Sequence, residues 1–490
     1  TVRGVLAGQH AWSVDGFGCT LAVNRPNLGS ATRIDQMGNR IAQQPVPSPA
    51  PALEAALDNA FGADLDQAGR DQLGTRAVLV VSDGTIVAER YAQGFDAGTP
   101  QLGWSMSKSV TSLLLGRLVQ QGLVSLSDDH LRPEWSDERA SITIEDLLRM
   151  RSGLAWDETY DLGTPITEML YNQADMASFV AAQKLAHPVG TVQQYSSGST
   201  TLLCAVLNAK LKQGADLPRQ QLLARLGVSS AIWEADAVGT PVCSSYLWAT
   251  PRDWAAIGQF ALADGVWNGK RLLPEGWMKA TTTTEPIATR EDPDYAGGWW
   301  TNLTPEGSLV APDLPRDAYW ASGHDGQKLY VVPSAKLVVV RLGFSPSADD
   351  IRTDALVADV LKALGKWSPV ETPLVELVRD PRGCICCRDE PPPSSWRTPG
   401  SQTVTVHPSC RVLRLGVRGY AGARPGVEGF EMNTLPRARA ERPLAGVQIS
   451  METPLPVEGD GTVPRSRGAG FFCPRRPNAA DRTGVPAWPC

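Results

Sequence analysis

The stretch "WSMSKSVTSLLLG", residues 104–116, sets a serine and a lysine three positions apart at the mouth of an apolar run. On a helix, positions i and i+3 lie about 300° round and about 4.5 Å along, so Ser105 and Lys108 share one face within hydrogen-bond reach. A serine hydroxyl is a weak nucleophile, and an amine held in an apolar site loses its proton more readily because burial disfavours the ammonium. Lys108 is then suited to take the Ser105 proton. Taken alone the pair decides little, since an S-x-x-K match arises about once by chance in a chain of this length. The bland reading is polar decoration at the start of a buried helix. Val110, Leu113, Leu114, Leu118 and Val119 are apolar on several sides of that helix, and Gly122 stands where a C-terminal cap belongs.

Upstream, "AVLVVSDGTIVAERY" from residue 77 gives two β-rich runs around Asp83-Gly84, a strong hairpin signal. Downstream, residues 125–290 mix helix-like pieces with turns. The segment "DAYWASGHDGQKLYVVPSAKLVVVRLG", residues 317–343, then alternates as strands do and breaks at Pro333-Ser334-Ala335-Lys336, which predicts a second hairpin. After it, Leu356, Val357, Val360, Leu361 and Leu364 fall on one helix face and close a unit near residue 366. The fold class expected is α+β: an antiparallel sheet flanked by helices and completed by both ends of the domain, with a mostly helical subdomain between.

The chain has 490 residues and a net charge of -6, which allows a large core and excludes an electrostatic nucleic-acid binder. Its two parts differ. Residues 369–490 hold 18 of the 38 prolines, 16 arginines and no lysine, so the tail carries +4 and the first 368 residues -10. The expected division is an N-terminal extension with a Pro-rich linker over 1–50, a catalytic domain over 51–367, and a disordered or non-native tail over 368–490. Cys384, Cys386, Cys387, His407 and Cys410 in that tail imitate a metal site, but a lone "CICC" without a second spaced pair is weak, and no metal is expected. No apolar run approaches the roughly 18 residues of a spanning helix.

Signatures of other hydrolases and of nucleotide binding are missing, among them G-x-S-x-G, H-E-x-x-H and a Walker loop. Two further sites bear on Ser105 and Lys108. At 195–197, "YSS" precedes a helix-like run, and a tyrosine there suits proton transfer to a leaving group. At 323–327, "GHDGQ" starts a strand, and glycine permits close backbone approach. Either aromatic or histidine, taken singly, is more often structural.

"WSMSKS", "YSSGS", "YLWATPRDWAAIGQFALADGVWNGKRLLPEGW" and "ASGHDGQKLYVVPSAKLVVVRLG" stand in an order and spacing that resemble the serine β-lactamase and penicillin-binding protein family. The similarity is greatest to its class C-like branch, with esterases and 6-aminohexanoate-dimer hydrolases, and spans about residues 50–366. It implies that Ser105 is the acylated nucleophile, Lys108 its proton partner and Tyr195 the shuttle to the leaving group. It also implies an oxyanion hole from the backbone N–H groups of Ser105 and Gln327, with Gly326 matching the family's K-T-G glycine. Neither cofactor nor metal is needed. Two departures weaken β-lactam recognition: Ser197 stands where a Y-x-N asparagine is expected, and His324, not a fixed cation, replaces the K-T-G lysine. Ser197, His324, Asp325, Gly326 and Tyr160 are the expected substrate contacts.

The expectation is a hydrolase of a small-molecule ester or amide. A β-lactamase or D-Ala-D-Ala peptidase and a non-catalytic binding protein on the same scaffold are the alternatives. Trp104, Trp299, Trp300 and Trp320 read as pocket wall or, more simply, as packing. Asp157 and Glu158 read as a solvated turn. The start at Thr1 leaves room for a preceding segment, and family members are often exported or tethered, so a periplasmic or membrane-tethered location is the expectation. The sequence leaves the oligomeric state open.

Overall fold

Two β-rich runs joined at Asp83-Gly84 form a hairpin of β1, Thr75–Ser82, and β2, Thr85–Tyr91. Asp83 and Gly84 both take positive φ, 49° and 79°, as the tight two-residue turn requires. The structure is a computed structural model that describes residues 2–3, 8–346 and 350–367, with three short strands beyond them. Four later strands extend the hairpin: β3 Trp300–Thr301, β4 Tyr319–Gly323, β5 Gln327–Val332 and β6 Leu337–Gly343. The sheet runs β3-β4-β5-β6-β1-β2 with antiparallel neighbours throughout. β6 lies beside β1, Val338 opposite Val81 and Val340 opposite Leu79, so both ends of the domain complete one sheet.

Side chains alternate between faces along each strand, and here both faces are buried. Val78, Val80, Tyr330, Val332 and Val339 pack under α1, Pro51–Ala60, and α5, Thr353–Ala363, through Leu53, Leu57, Leu356, Val357 and Val360. Leu79, Val81, Leu329, Val331 and Val340 face the larger core, with α2, Met106–Gln120, and α4, Pro251–Leu262. α3, Ser197–Leu211, lies in the helical region with Ile144–Leu148, Pro165–Asn172 and Met176–Ala181. A disulfide joins Cys204 of α3 to Cys243. The α+β class and the helical insert agree with the sequence reading.

Residues 8–45, expected as an extension, are built into this unit. Phe17 packs on Ala215 and Ala235, and Ile34 and Ile41 enter the larger core. Asn39, fully buried, donates to the Asp253 carboxylate at the start of α4, and Arg252 binds the carbonyls of Ala42 and Gln44 at 3.1 and 2.6 Å. An apolar anchor and buried polar bonds of this kind are not visible in the local composition that marked the segment as linker.

The chain divides into two compact units, residues 1–369 with Cys490, and 370–489. In the second, Leu377–Arg379 pairs antiparallel with Ile385–Cys387 and with Arg411–Leu413. The rest of the tail lies outside the described residues, as do the side chains of its cysteines and His407 and the expectation of disorder.

Candidate active site

The turn before α2 sets the position of Ser105. Trp104 takes a left-handed backbone, φ +47°, rare for a bulky residue, and this bends the chain so that Ser105 stands at the N-terminal mouth of the helix. Gly103 N–H donates to Leu247 O at 2.9 Å, and the Ser107 hydroxyl lies within hydrogen-bond distance of two acceptors, Trp104 O at 2.7 Å and Ser245 O at 2.9 Å, which ties the turn to the 243–247 strip.

One turn along, the Lys108 amine is buried within hydrogen-bond distance of three oxygens: Ser105 Oγ at 2.8 Å, Ser197 Oγ at 2.8 Å and Ser244 O at 3.1 Å. Burial pulls its pKa down to about 8, against the opposing pull of the Glu158 carboxylate 4.0 Å away. Tyr195 lies on the other side, its ring centroid 4.7 Å from Lys108 Nζ and its hydroxyl hydrogen-bonded to Ser105. Burial pushes the Tyr195 phenol well above its ordinary pKa, with Tyr295 and Glu158 adding to the rise, so it keeps its proton. Tyr295 and Trp300 hold its ring, with centroids 5.0 and 5.5 Å away. The structure thus brings Ser105, Lys108 and Tyr195 together from two elements that the sequence separates.

The expected substrate contacts divide. Ser197 is fully buried, its hydroxyl accepting from Lys108 and donating to Glu158, so it is an internal bridge with no donor left for a substrate. Tyr160 and His324 come together with rings stacked at 4.6 Å, and His324 meets the edge of Trp104 at 5.7 Å. Asp325 lies beside His324, its carboxylate 3.4 Å from Nε2. Gly326 faces away. With φ +87°, it is pressed on Arg341, where a Cβ would sit 2.5 Å from Nη1, so its glycine serves the turn and the packing. Gln327 begins β5, and its side chain grips Gly343 of β6 at 2.6 and 3.0 Å. The residue packed on the turn before Ser105 is Gly323, at the end of β4, where a Cβ would lie 2.1 Å from Gly103 O.

Glu158 was read as a solvated turn, and that reading is corrected. Its carboxylate accepts from the Ser197 N–H at 2.8 Å, the Ser197 hydroxyl and Trp156 Nε1 at 2.6 Å. Asp157 beside it caps Thr159 in an exposed turn, as expected. No local spacing marks Glu158, because Lys108 and Ser197 reach it from α2 and α3. Of the tryptophans, Trp299 and Trp320 are buried packing residues, while Trp300 and Trp104 border the site through Tyr195 and His324.

A sequence model described as Beta-lactamase matches residues 58–362. The 6-aminohexanoate-dimer hydrolase of Paenarthrobacter ureafaciens is 23% identical over 316 residues, 59% of this chain and 77% of that one. Among solved structures, a Bacillus anthracis protein assigned as a 6-aminohexanoate-dimer hydrolase superposes with a TM-score of 0.55 at 20% identity, covering 69% of this chain and 90% of its own. A penicillin-binding protein homologue from Caulobacter crescentus gives 0.50 at 16% identity, over 65% of this chain and all of its own. At such identities the solved structures speak for the fold, and the family match covers more than half of the chain. The chain belongs to the beta-lactamase family, and with it to the serine hydrolases.

Proposed function

We propose that the protein hydrolyses an ester or small amide through an acyl-enzyme on Ser105. The observation that carries this reading is the meeting of Ser105 Oγ with the buried Lys108 amine at 2.8 Å beside the protonated Tyr195. In the first half-reaction Ser105 Oγ bonds to the substrate carbonyl carbon and its proton passes to Lys108. Tyr195 gives a proton to the departing alcohol or amine as the scissile bond breaks, and takes one back from the Lys108 ammonium. In the second half a water adds to the acyl carbon and the same groups return a proton to Ser105 Oγ, releasing the acid.

Charge on the carbonyl oxygen needs backbone donors. The Ser105 N–H has no acceptor among the described residues, and we assign it the first position. The second goes to the peptide N–H of His324, because Gly323 and the His324 ring border the Gly103–Ser105 turn. Tyr160, His324 and Asp325 are the proposed substrate contacts. With His324 in place of a fixed cation, a substrate carboxylate finds less purchase, which favours neutral esters and amides over β-lactams and D-Ala-D-Ala ends.

A fluorophosphonate probe with intact-mass readout tests the nucleophile. Wild type is expected to gain one adduct and Ser105→Ala none; an adduct that persists in the variant overturns the assignment. A panel of p-nitrophenyl esters, nitrocefin and short ω-amino-acid oligomers then ranks substrates, with nitrocefin expected last.

A further inference from the structure

The loop 151–164 and the start of α3 enclose a hydrogen-bond chain that the acylation chemistry above does not use. A carboxylate offers about four lone-pair sites. Three on Glu158 are filled, by Trp156 Nε1, Ser197 N–H and the Ser197 hydroxyl, so the group is fixed from two elements. The Ser197 hydroxyl has one hydrogen, and a carboxylate can only accept. That hydrogen is therefore committed to Glu158, and toward Lys108 the Ser197 oxygen can only accept. The Ser244 carbonyl likewise can only accept, at 3.1 Å.

A neutral lysine amine has two hydrogens and one lone pair. Two of the three neighbours of Lys108 Nζ are acceptors with no hydrogen to give, so both N–H bonds turn to Ser197 and Ser244. The lone pair is left facing the third neighbour, Ser105 Oγ, 2.8 Å away. We infer that Glu158, acting through Ser197, is a positioning residue that aims the Lys108 lone pair at the Ser105 proton. The inference rests on the acyl-enzyme reading. Atoms and protons balance without Glu158 changing state: the proton moves from Ser105 Oγ to Lys108 Nζ, and Glu158 keeps its two bonds to Ser197.

Glu158→Gln undoes the device in a defined way. The amide can donate to Ser197 Oγ, which frees that hydroxyl to turn its hydrogen on the Lys108 lone pair. The variant also removes the only anion within 4.0 Å of Lys108 among the described residues. The other titratable groups near this position are Tyr195, against the amine, Tyr160 on the Glu158 loop, and Tyr295 and Asp292 on the Tyr195 side. Loss of the anion favours the neutral amine, so the pH midpoint for activity falls.

The experiment measures the rate of Ser105 labelling by a fluorophosphonate from pH 5.5 to 9.5, in the full chain. Glu158→Gln is expected to lower the high-pH plateau about 10- to 100-fold, in line with the cost of a misaimed group, and to move the midpoint to lower pH. Ser197→Ala, which keeps the carboxylate but removes the bridge, is expected to lower the plateau by a similar factor with a smaller shift of midpoint. A Glu158→Gln profile that superimposes on wild type, or one merely scaled with the same midpoint, overturns the role; so does a wild-type rate in Ser197→Ala, which decides the matter if Glu158→Gln does not fold. A wild type that never labels at Ser105 sinks the acyl-enzyme reading itself.

Discussion

Gly323 lies against Gly103 so closely that a single carbon added to it would stand 2.1 Å from the Gly103 carbonyl oxygen. This contact joins the end of β4 to the turn that carries Ser105. Gly323→Ala must push strand and turn apart. It is expected to cost about 1–3 kcal/mol of stability, as overpacking does, and to slow Ser105 acylation about 100-fold. Thermal melting and probe labelling check both; unaltered labelling in a folded variant would remove the strand edge from the catalytic geometry.

Lys108 titrates near pH 8 in the folded chain, below its ordinary value of 10.5, because it is buried. Only the neutral amine accepts the Ser105 proton, so acylation should rise with pH through about 8. The same shift acts on folding. Between about 8 and 10.5 the unfolded chain holds a proton that the folded chain has lost, so raising the pH there stabilises the fold through this group. In Lys108→Met that contribution disappears, and the difference in melting temperature between wild type and variant should change with pH over this window alone.

The disulfide between Cys204 and Cys243 ties α3 to the strip whose Ser244 and Ser245 carbonyls hold Lys108 and Ser107. A closed loop of this span stabilises by about 4 kcal/mol in the chain-entropy account. Cys204→Ala with Cys243→Ala should therefore melt several degrees lower and label more slowly, since the carbonyl strip loses its clip to α3. Equal melting temperatures would show that the link adds nothing beyond packing.

The two ends of the chain should respond differently to removal. We take 51–367 as the catalytic domain, and truncation after Trp367 is expected to leave labelling and melting temperature nearly unchanged. Removal of residues 1–45 withdraws Asn39 from the buried Asp253 carboxylate and Ile34 and Ile41 from the core, and should destabilise strongly. Asn39→Ala alone is expected to cost about 1–3 kcal/mol, read by urea unfolding.

The sequence makes the hairpins and the helix after Ser105 legible because their signals are local: Asp83-Gly84 between β runs, and an apolar run after Lys108. Tyr195 stands out in the sequence only weakly, before a helix-like run, and the resemblance is what ties it to Ser105. Glu158 escapes because its partners, Ser197 and Lys108, lie on other elements, and nothing in "WDETY" shows that the loop folds inward. Gly326 and Gly323 are both glycines in one short stretch, and only the packing of Arg341 on one and Gly103 on the other tells which meets the turn before Ser105. Ser197 is in the expected place but faces inward, a matter of burial that spacing does not reveal.

The pairing of β1 with β6 across the whole helical insert orders events during synthesis. A chain emerging from the ribosome presents Ser105, Lys108 and Tyr195 well before Gly323, and β1 waits unpaired on its inner side until the last strand arrives. Such late, non-local closure slows folding. It also means that Ser105 exists for a time without the strand edge beside it, so that the proposed catalytic geometry is assembled only when the 51–367 segment is nearly complete.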